Sequence, residues 1–425
     1  MKKKKAPFVR RMKEFVKTSV VWGTLDHNLF FTIIFLNVYG IIMVYSASYN
    51  NSITKNYSYF MNNQLKNVIF GFVIMIVASY VNYHRIVRLG WGWFWLLAAV
   101  AIIAALKTPL AHSELGATRW IKLGPVSFQA AEPIKAAIII FFAYYVSYWG
   151  LNRWYNQLLA CLLAIALLGF LFFFSNNLST VIVLFCICAV IILSSVKKPD
   201  LYWYFLLGLA LIIIAAIFVT VYLLMHQGAE NFRFVRIRAW LHPEEYAADE
   251  GLQAMQARYA IGAGGFWGKG LGQSLIKFKL SYSYNDFILA IICEELGVFG
   301  VIVMMTLFGY LLYRIYKIAQ NAWDIEGKVL AIGVFTQIAL QLLINVMVVT
   351  SVIPTTGVTL PFFSAGGTSV VFLLAELGMV LNVDKYAKER RFFEEAERHV
   401  AQMEQRGGIG AAGWRRRLDS ARTRR

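Results

Sequence analysis

Residues 281–297 read SYSYNDFILAIICEELG, and the nature of the chain turns on them. From Phe287 onward the stretch begins like a membrane helix, yet it carries Asp286, Glu294 and Glu295. A carboxylate near the bilayer centre costs roughly 2.5–3.5 kcal/mol even on lenient insertion scales, while each Leu or Ile recovers only about 0.3–0.6. The composition around the stretch leaves little choice of class. Of 425 residues, 59% are hydrophobic and 15% charged, too apolar for a soluble domain and too patterned for a disordered chain. An all-α polytopic membrane protein is expected, and the three acids must then have partners or a task.

The net charge of +18 is concentrated at the ends, in MKKKKAPFVRRMKEFVK and RRRLDSARTRR. Basic tails beside membrane spans meet anionic lipid headgroups, so no nucleic-acid partner is expected. The first strongly apolar segment begins near Leu29 without a small-residue cleavage site, and reads as a retained span. Cys161, Cys186, Cys188 and Cys293 fall in apolar runs, and none of the six histidines has metal-ligand spacing, so no protein-held metal is expected.

Ten apolar runs are long enough, or nearly so, to cross about 30 Å of hydrocarbon: 29–48, 68–83, 91–106, 134–149, 157–174, 179–195, 202–225, 286–315, 329–350 and 369–383. The short connections alternate in charge. His84, Arg85 and Arg88, then Arg153, then Lys197 and Lys198, then Lys317 and Lys328 share a side with both tails, which puts both termini in the cytoplasm. The chain then divides into a basic N-terminal segment (1–27), a ten-helix membrane domain (28–384) and a basic cytoplasmic tail (385–425). Two large loops, 107–133 and 226–285, face outward, and loops of that size in a compact bundle are more often functional than idle. The tail is expected to start as an amphipathic helix through KYAKERRFFEEAERHVAQMEQR and to finish disordered.

Asp286 is expected at the outer mouth of the eighth span, with Ser283 or Asn285 capping the helix start and Glu294 and Glu295 roughly 12 Å deeper. An acid beneath two outer loops is placed to meet a substrate; deeper acids find partners within the bundle. In QAAEPIKAA, Glu132 and Lys135 lie three apart on one helix face, open to an ion pair between helices or to a substrate contact. Arg119 and Lys122 flank Trp120 in GATRWIKLG, an interfacial anchor or a ligand contact. Arg233, Arg236 and Arg238 among aromatics suit an interfacial helix near headgroups or pyrophosphate. AIGAGGFWGKGLGQSLIK fails as a nucleotide loop, because the third glycine is misplaced and Gly270 follows Lys269. It reads as tight backbone that lets Lys269, Ser274 and Lys277 approach one ligand.

In this order the motifs resemble the SEDS family, the FtsW, RodA and SpoVE proteins of bacterial cell-wall synthesis, with the second large loop nearer the FtsW and SpoVE branch. The similarity runs from about Leu29 to Asp384. It is carried by VYSAS (44–48), GATRWIKLG (116–124), QAAEPIK (129–135), GAGGFWGKGLGQSLIK (262–277), NDFILAIICEELGVFG (285–300) and LPFFSAGGTSVVFLLAELGMVLNV (360–383). The resemblance implies a ten-span fold in the bacterial cytoplasmic membrane. It also implies a peptidoglycan glycosyltransferase that polymerises lipid II on the outer face with a class B penicillin-binding transpeptidase, among other divisome or elongasome membrane proteins. The family's essential aspartate aligns with Asp286, its buried acid and base with Glu132 and Lys135, and its interfacial Arg-Trp with Arg119 and Trp120. Ser364, Gly366 and Gly367 join the expected substrate contacts. Ala130 and Ala131, Pro133, Asn177, Tyr282 and Ser283, and Ala365 depart from the family pattern.

Chemically, a sugar on a pyrophosphate already has a good leaving group, so one carboxylate suffices where glycoside hydrolysis uses two. Asp286 is expected to act as general base. Arg119, Lys135, Lys269 and Lys277, or a divalent ion (Mg2+ or Mn2+) bridging pyrophosphate and carboxylate, are the candidates to stabilise the leaving group. A lipid II transporter, or a scaffold for the transpeptidase without chemistry, are the alternatives. A transporter is expected to show broken helices in corresponding halves.

Overall fold

The computed structural model describes residues 25–48, 59–114, 117–124, 126–175, 177–196, 232–246, 251–278, 285–365, 367–405 and 411–423. The helices are α1 (His27–Ser48), α2 (Tyr59–Tyr80), the short α3 (Tyr83–Val87), α4 (Trp93–Ala105), α5 (Ala131–Tyr148), α6 (Trp154–Ser175), α7 (Leu178–Ser195), α8 (Phe232–Leu241), α9 (Leu252–Gly264), α10 (Ile288–Asn321), α11 (Ile325–Val349), α12 (Thr368–Gln405) and α13 (Ala411–Thr423). Six of them, α1, α2, α6, α7, α10 and α11, contain windows long and apolar enough to cross a membrane. The chain is a multi-pass membrane protein. Expected span 202–225 lies outside the described residues, and the other expected spans fall on helices. The second ends earlier than its apolar run, because the Asn82 side chain accepts from the His84 N–H and starts α3.

α5 lies at the centre: every residue from Ala137 to Val146 is buried, the signature of a helix with neighbours on all sides. α11 packs on α5, α7 and α10, and α12 packs along α2.

The fold is mostly helical, as expected, and within the expected loop 107–133 residues 111–129 form an antiparallel meander of β1 (Ala111–Glu114), β2 (Ala117–Leu123) and β3 (Val126–Gln129) in the order β1-β2-β3. Strands replace a loop where the backbone leaves the bilayer, because each must pair its N–H and C=O groups and the β-branched residues of ATRWIKL suit a pleat. Gly124, at φ +61°, reverses the chain between β2 and β3. α12 runs unbroken for 38 residues, about 57 Å, so the expected helical start of the tail continues the helix before it. The expected disordered end is corrected among the described residues: α13 folds back so that Trp414 and Leu418 pack against Phe392, Phe393, Ala396 and Val400.

α10 is two helices in line. Gly297 sits at φ +66°, ψ −163°, and divides the segment bearing Glu294 and Glu295 from the longer remainder. A break at membrane depth exposes main-chain groups that must be satisfied from elsewhere. The loop after α9 supplies them: Val298 N–H donates to Gly265 O (3.1 Å) and Phe299 N–H to Phe266 O (3.1 Å), while Lys269 and Gly270 N–H donate to the Glu294 and Glu295 carbonyls (both 2.9 Å). A Cβ on Gly297 would lie 2.4 Å from Gly268 N and Phe266 O. Gly297→Ala should therefore cost at least about 1–3 kcal/mol, from left-handed strain and displacement of the loop. Thermal unfolding in detergent checks this against Gly309→Ala, where a Cβ meets open space.

Candidate active site

Asn285, Asp286 and Phe287 form a turn ahead of α10. The expected cap is not formed: Phe287 is the N-cap and makes no side-chain cap bond, while Ser283 lies outside the described residues. The turn is instead held by its carbonyls. The Ser364 hydroxyl donates to Asn285 O (2.9 Å), and the Asn345 amide donates to Asp286 O and to Val358 O (both 2.9 Å). Phe287, 3% exposed, anchors the turn in the core and leaves the Asp286 residue half-buried at its surface. A carboxylate on such a turn starts from a fixed main chain.

Asn345 is itself fully buried. Asn345→Ala strips a hydrogen bond from two carbonyls and should cost about 1–3 kcal/mol of local order. Thermal unfolding in detergent, read against the wild type, checks this.

Ser364 was expected to touch substrate. It is 2% exposed, and its hydroxyl is used on both sides, accepting from Leu360 N–H (2.8 Å) and donating to Asn285 O. It positions the Asp286 turn. Gly367 lies nearby in the left-handed region (φ +55°), and Gly366 lies outside the described residues. Trp120 is half-buried on β2, where it pairs with His112 and Gln129; Arg119 precedes it on the strand, with its side chain outside the described part.

Glu132 and Lys135 form an ion pair (2.9 Å) in the first turns of α5, with 5% and 3% of their side chains exposed. Two narrow cavities touch Glu132. One, of about 30 Å³, is lined by Lys135, Asn177 and Gln341; the other, of about 10 Å³, reaches Ser364. Such volumes hold a water or two and no sugar. Asn177 caps α7 through Thr180 N–H (3.4 Å), so an amide fills the N-cap role there.

Lys269, Ser274 and Lys277 converge on the two glutamates Glu294 and Glu295. Lys269 Nζ meets Glu294 Oε1 (2.7 Å), which also accepts Leu275 N–H (3.2 Å), while Ser274 Oγ donates to Glu294 Oε2. Lys277 Nζ meets Glu295 Oε1 (3.4 Å) and Gly272 O (2.7 Å), and Ser46 Oγ donates to Glu295 Oε2 (2.5 Å). Ser274 is 1% exposed, as is the Lys277 side chain; only Lys269, at 32%, keeps an open flank. The physical reason is charge: two carboxylates with no exposure demand two cations within hydrogen-bond reach.

Comparison with known proteins places this arrangement. A family model described as "Cell cycle protein", covering FtsW, RodA and SpoVE, matches residues 26–389. The chain belongs to the FtsW/RodA/SpoVE family. It is 31% identical over 382 residues to "Probable peptidoglycan glycosyltransferase FtsW" of Trichlorobacter lovleyi, covering 88% of this chain and 96% of that one. It is 33% identical over 370 residues to the stage V sporulation protein E of Bacillus subtilis (84% and 96%). A chain solved in a peptidoglycan synthase complex superposes with a TM-score of 0.71 at 22% identity (86% and 99%). The RodA of Thermus thermophilus superposes at 0.61 and 22% identity (85% and 97%).

Within this FtsW/RodA/SpoVE protein the structure adds residues that sequence reasoning passed over. Glu376 on α12 is 1% exposed, accepts from Gln337 Nε2 (2.8 Å) and lies within electrostatic reach of Lys135 and Glu132. Gln337, Gln341 and Asn345 recur every four residues along α11, so one helix face carries a polar row from Glu376 to the Asp286 turn. The signal was present as amides at helical spacing inside an apolar span.

Proposed function

We propose that the chain is a peptidoglycan glycosyltransferase of the bacterial cytoplasmic membrane, joining lipid II into β-1,4 glycan strands with Asp286 as general base. The observation that carries the reading is a carboxylate on a clamped turn at the head of a broken helix, in a chain whose relatives bear the name of that activity. The face with His84, Arg85, Arg88 and Arg153 is then the cytoplasmic one, and Asp286, at the other end of α10, faces outward.

The acceptor GlcNAc 4-hydroxyl gives its proton to the Asp286 carboxylate as its oxygen attacks the anomeric carbon of the donor MurNAc. The bond from that carbon to the pyrophosphate oxygen breaks, the electron pair leaves with undecaprenyl pyrophosphate, and the α linkage inverts to β. Charge grows on the pyrophosphate, where Lys269, with its open flank, and Arg119 on the outer sheet are the cations proposed to meet it. Lys135 and Lys277 are committed to glutamates and serve the scaffold. Among the described residues no group of three acids, histidines or cysteines could cage a metal. Mg2+ or Mn2+ carried by the pyrophosphate would be held by the Asp286 carboxylate and would supply charge stabilisation to the leaving group. A class B penicillin-binding transpeptidase is the proposed partner, within the divisome or elongasome.

The break at Gly297 is the one feature that favours a transporter. Its main-chain groups, however, are hydrogen-bonded by the 264–270 loop, unlike the half-helix ends that bind ions in transporters. Purified protein with its transpeptidase is expected to convert labelled lipid II into strands. Lipid II flipping in liposomes with no strands formed would defeat the proposal.

A further inference from the structure

Beyond the far end of α10 from Asp286, a cavity of about 640 Å³ opens between the last turn of α5 and the start of α11. Its polar wall is Arg88, Ser147 and Glu326; its apolar wall is Trp93, Tyr144, Tyr148 and Trp149. Glu326 is 3% exposed. One of its oxygens accepts Arg88 Nε (3.0 Å), Arg88 Nη2 (2.9 Å) and Ser147 Oγ (3.1 Å). The carboxylate thus clamps one edge of a guanidinium whose side chain remains 62% exposed. The aromatic wall is ordered too. Tyr144 and Tyr148 stack at 5.4 Å and 11°, and Trp149 meets Tyr148 edge-on at 5.9 Å. Gly92, at φ +75°, makes room for this wall, since a Cβ there would sit 2.1 Å from the Tyr144 ring.

An aromatic belt at the membrane interface explains tyrosines and tryptophans at this level without any ligand. It does not explain a buried carboxylate spent on orienting an exposed arginine, because surface arginines need no such partner and buried acids are costly. We propose that this cavity holds the headgroup of a phospholipid bearing a primary ammonium, of the phosphoethanolamine type. The phosphate lies on the outward edge of Arg88, and the ammonium lies over the aromatic faces within the field of Glu326. Arg88 and Glu326 offer one charge of each sign to the two charges of the zwitterion, and His84, paired with Asp324, lies 3.7 Å from the second Glu326 oxygen. A glycerol headgroup offers no cation to the rings, and a trimethylammonium, although it binds aromatic faces, has no N–H to donate to the tyrosine hydroxyls of the wall. The position at the helix ends is that of the headgroup layer, which favours a lipid over a soluble phosphate.

The test is native mass spectrometry of the full chain in micelles with equimolar phosphatidylethanolamine, phosphatidylglycerol and phosphatidylcholine of identical acyl chains. One phosphatidylethanolamine should be retained about fivefold or more over the others, and Arg88→Gln and Tyr148→Ala should each reduce its retention about tenfold. Tyr148, 71% exposed, is removed without opening the core, and Arg153→Gln, an arginine stacked on Tyr155 at the same face, should change nothing. Equal retention of the three lipids, or indifference to both variants, overturns the proposal. So does displacement of the lipid by millimolar soluble phosphoethanolamine, which would assign the cavity to a soluble ligand.

Discussion

Asp286→Asn is expected to abolish glycan strand formation from lipid II while the protein stays folded in the membrane. The substitution keeps the shape of the side chain and removes its ability to accept a proton. The turn that carries it is held through the Asn285 and Asp286 carbonyls and the buried Phe287 ring, all of which the variant keeps. Loss of a positioned base typically lowers the rate about 10²–10⁴-fold. Asp286→Glu moves the carboxylate outward by one methylene, and a displacement near 1 Å can cost about 10²-fold, so it should rank between wild type and Asn. Strand length and yield are read on gels, with the transpeptidase partner present and unfolding temperatures measured in parallel. Polymerisation at the wild-type rate by Asp286→Asn, with strands made by the wild type, would show that the base lies elsewhere. No strands from any form would favour the scaffold.

Glu295→Ala should produce the largest loss of stability of any single change considered. Glu295 has no exposure, and its removal takes the paired carboxylate from the Lys277 ammonium, 1% exposed, while the Gly272 carbonyl and the Phe278 ring stay beside it. Removing one member of a buried ion pair costs about 3–5 kcal/mol, because the remaining charge loses its compensation. The 265–278 loop that closes the break at Gly297 is held by the same contacts, so the short half of α10 and the Asp286 turn at its head should lose order, and activity should fall with stability. Combining Glu295→Gln with Lys277→Met removes both charges and should recover most of the unfolding temperature. If Glu295→Ala unfolds with wild type, or the double variant is as unstable as the single one, charge pairing is not what holds the loop.

The pairing of these groups also explains where sequence reasoning reached and where it stopped. The spans around 29–48, 157–174, 179–195 and 329–350 were legible because transfer from water to hydrocarbon is a local property, summed over some 20 residues. The Glu132–Lys135 pair was legible for the same reason, being set by helix spacing of three. The meander at 111–129 was hidden because its strands are short and their pairing is non-local.

Lys269, Ser274 and Lys277 meet Glu294 and Glu295, partners that the sequence did not show, and of the three Lys269 alone keeps an open flank. Lys269 lies 25 residues from Glu294, and Glu295 meets Ser46 across 249, separations at which composition and periodicity carry no information. By itself the sequence determined the class of protein and most of the apolar segments that become its membrane helices, since both follow from local chemistry. Only the tertiary structure decided which charges neutralise one another, that α10 breaks at Gly297, and that amides on α11 and a serine before α12 hold the Asp286 turn. Those outcomes depend on which groups meet after the chain has folded, where a buried charge is stable only beside its counterion.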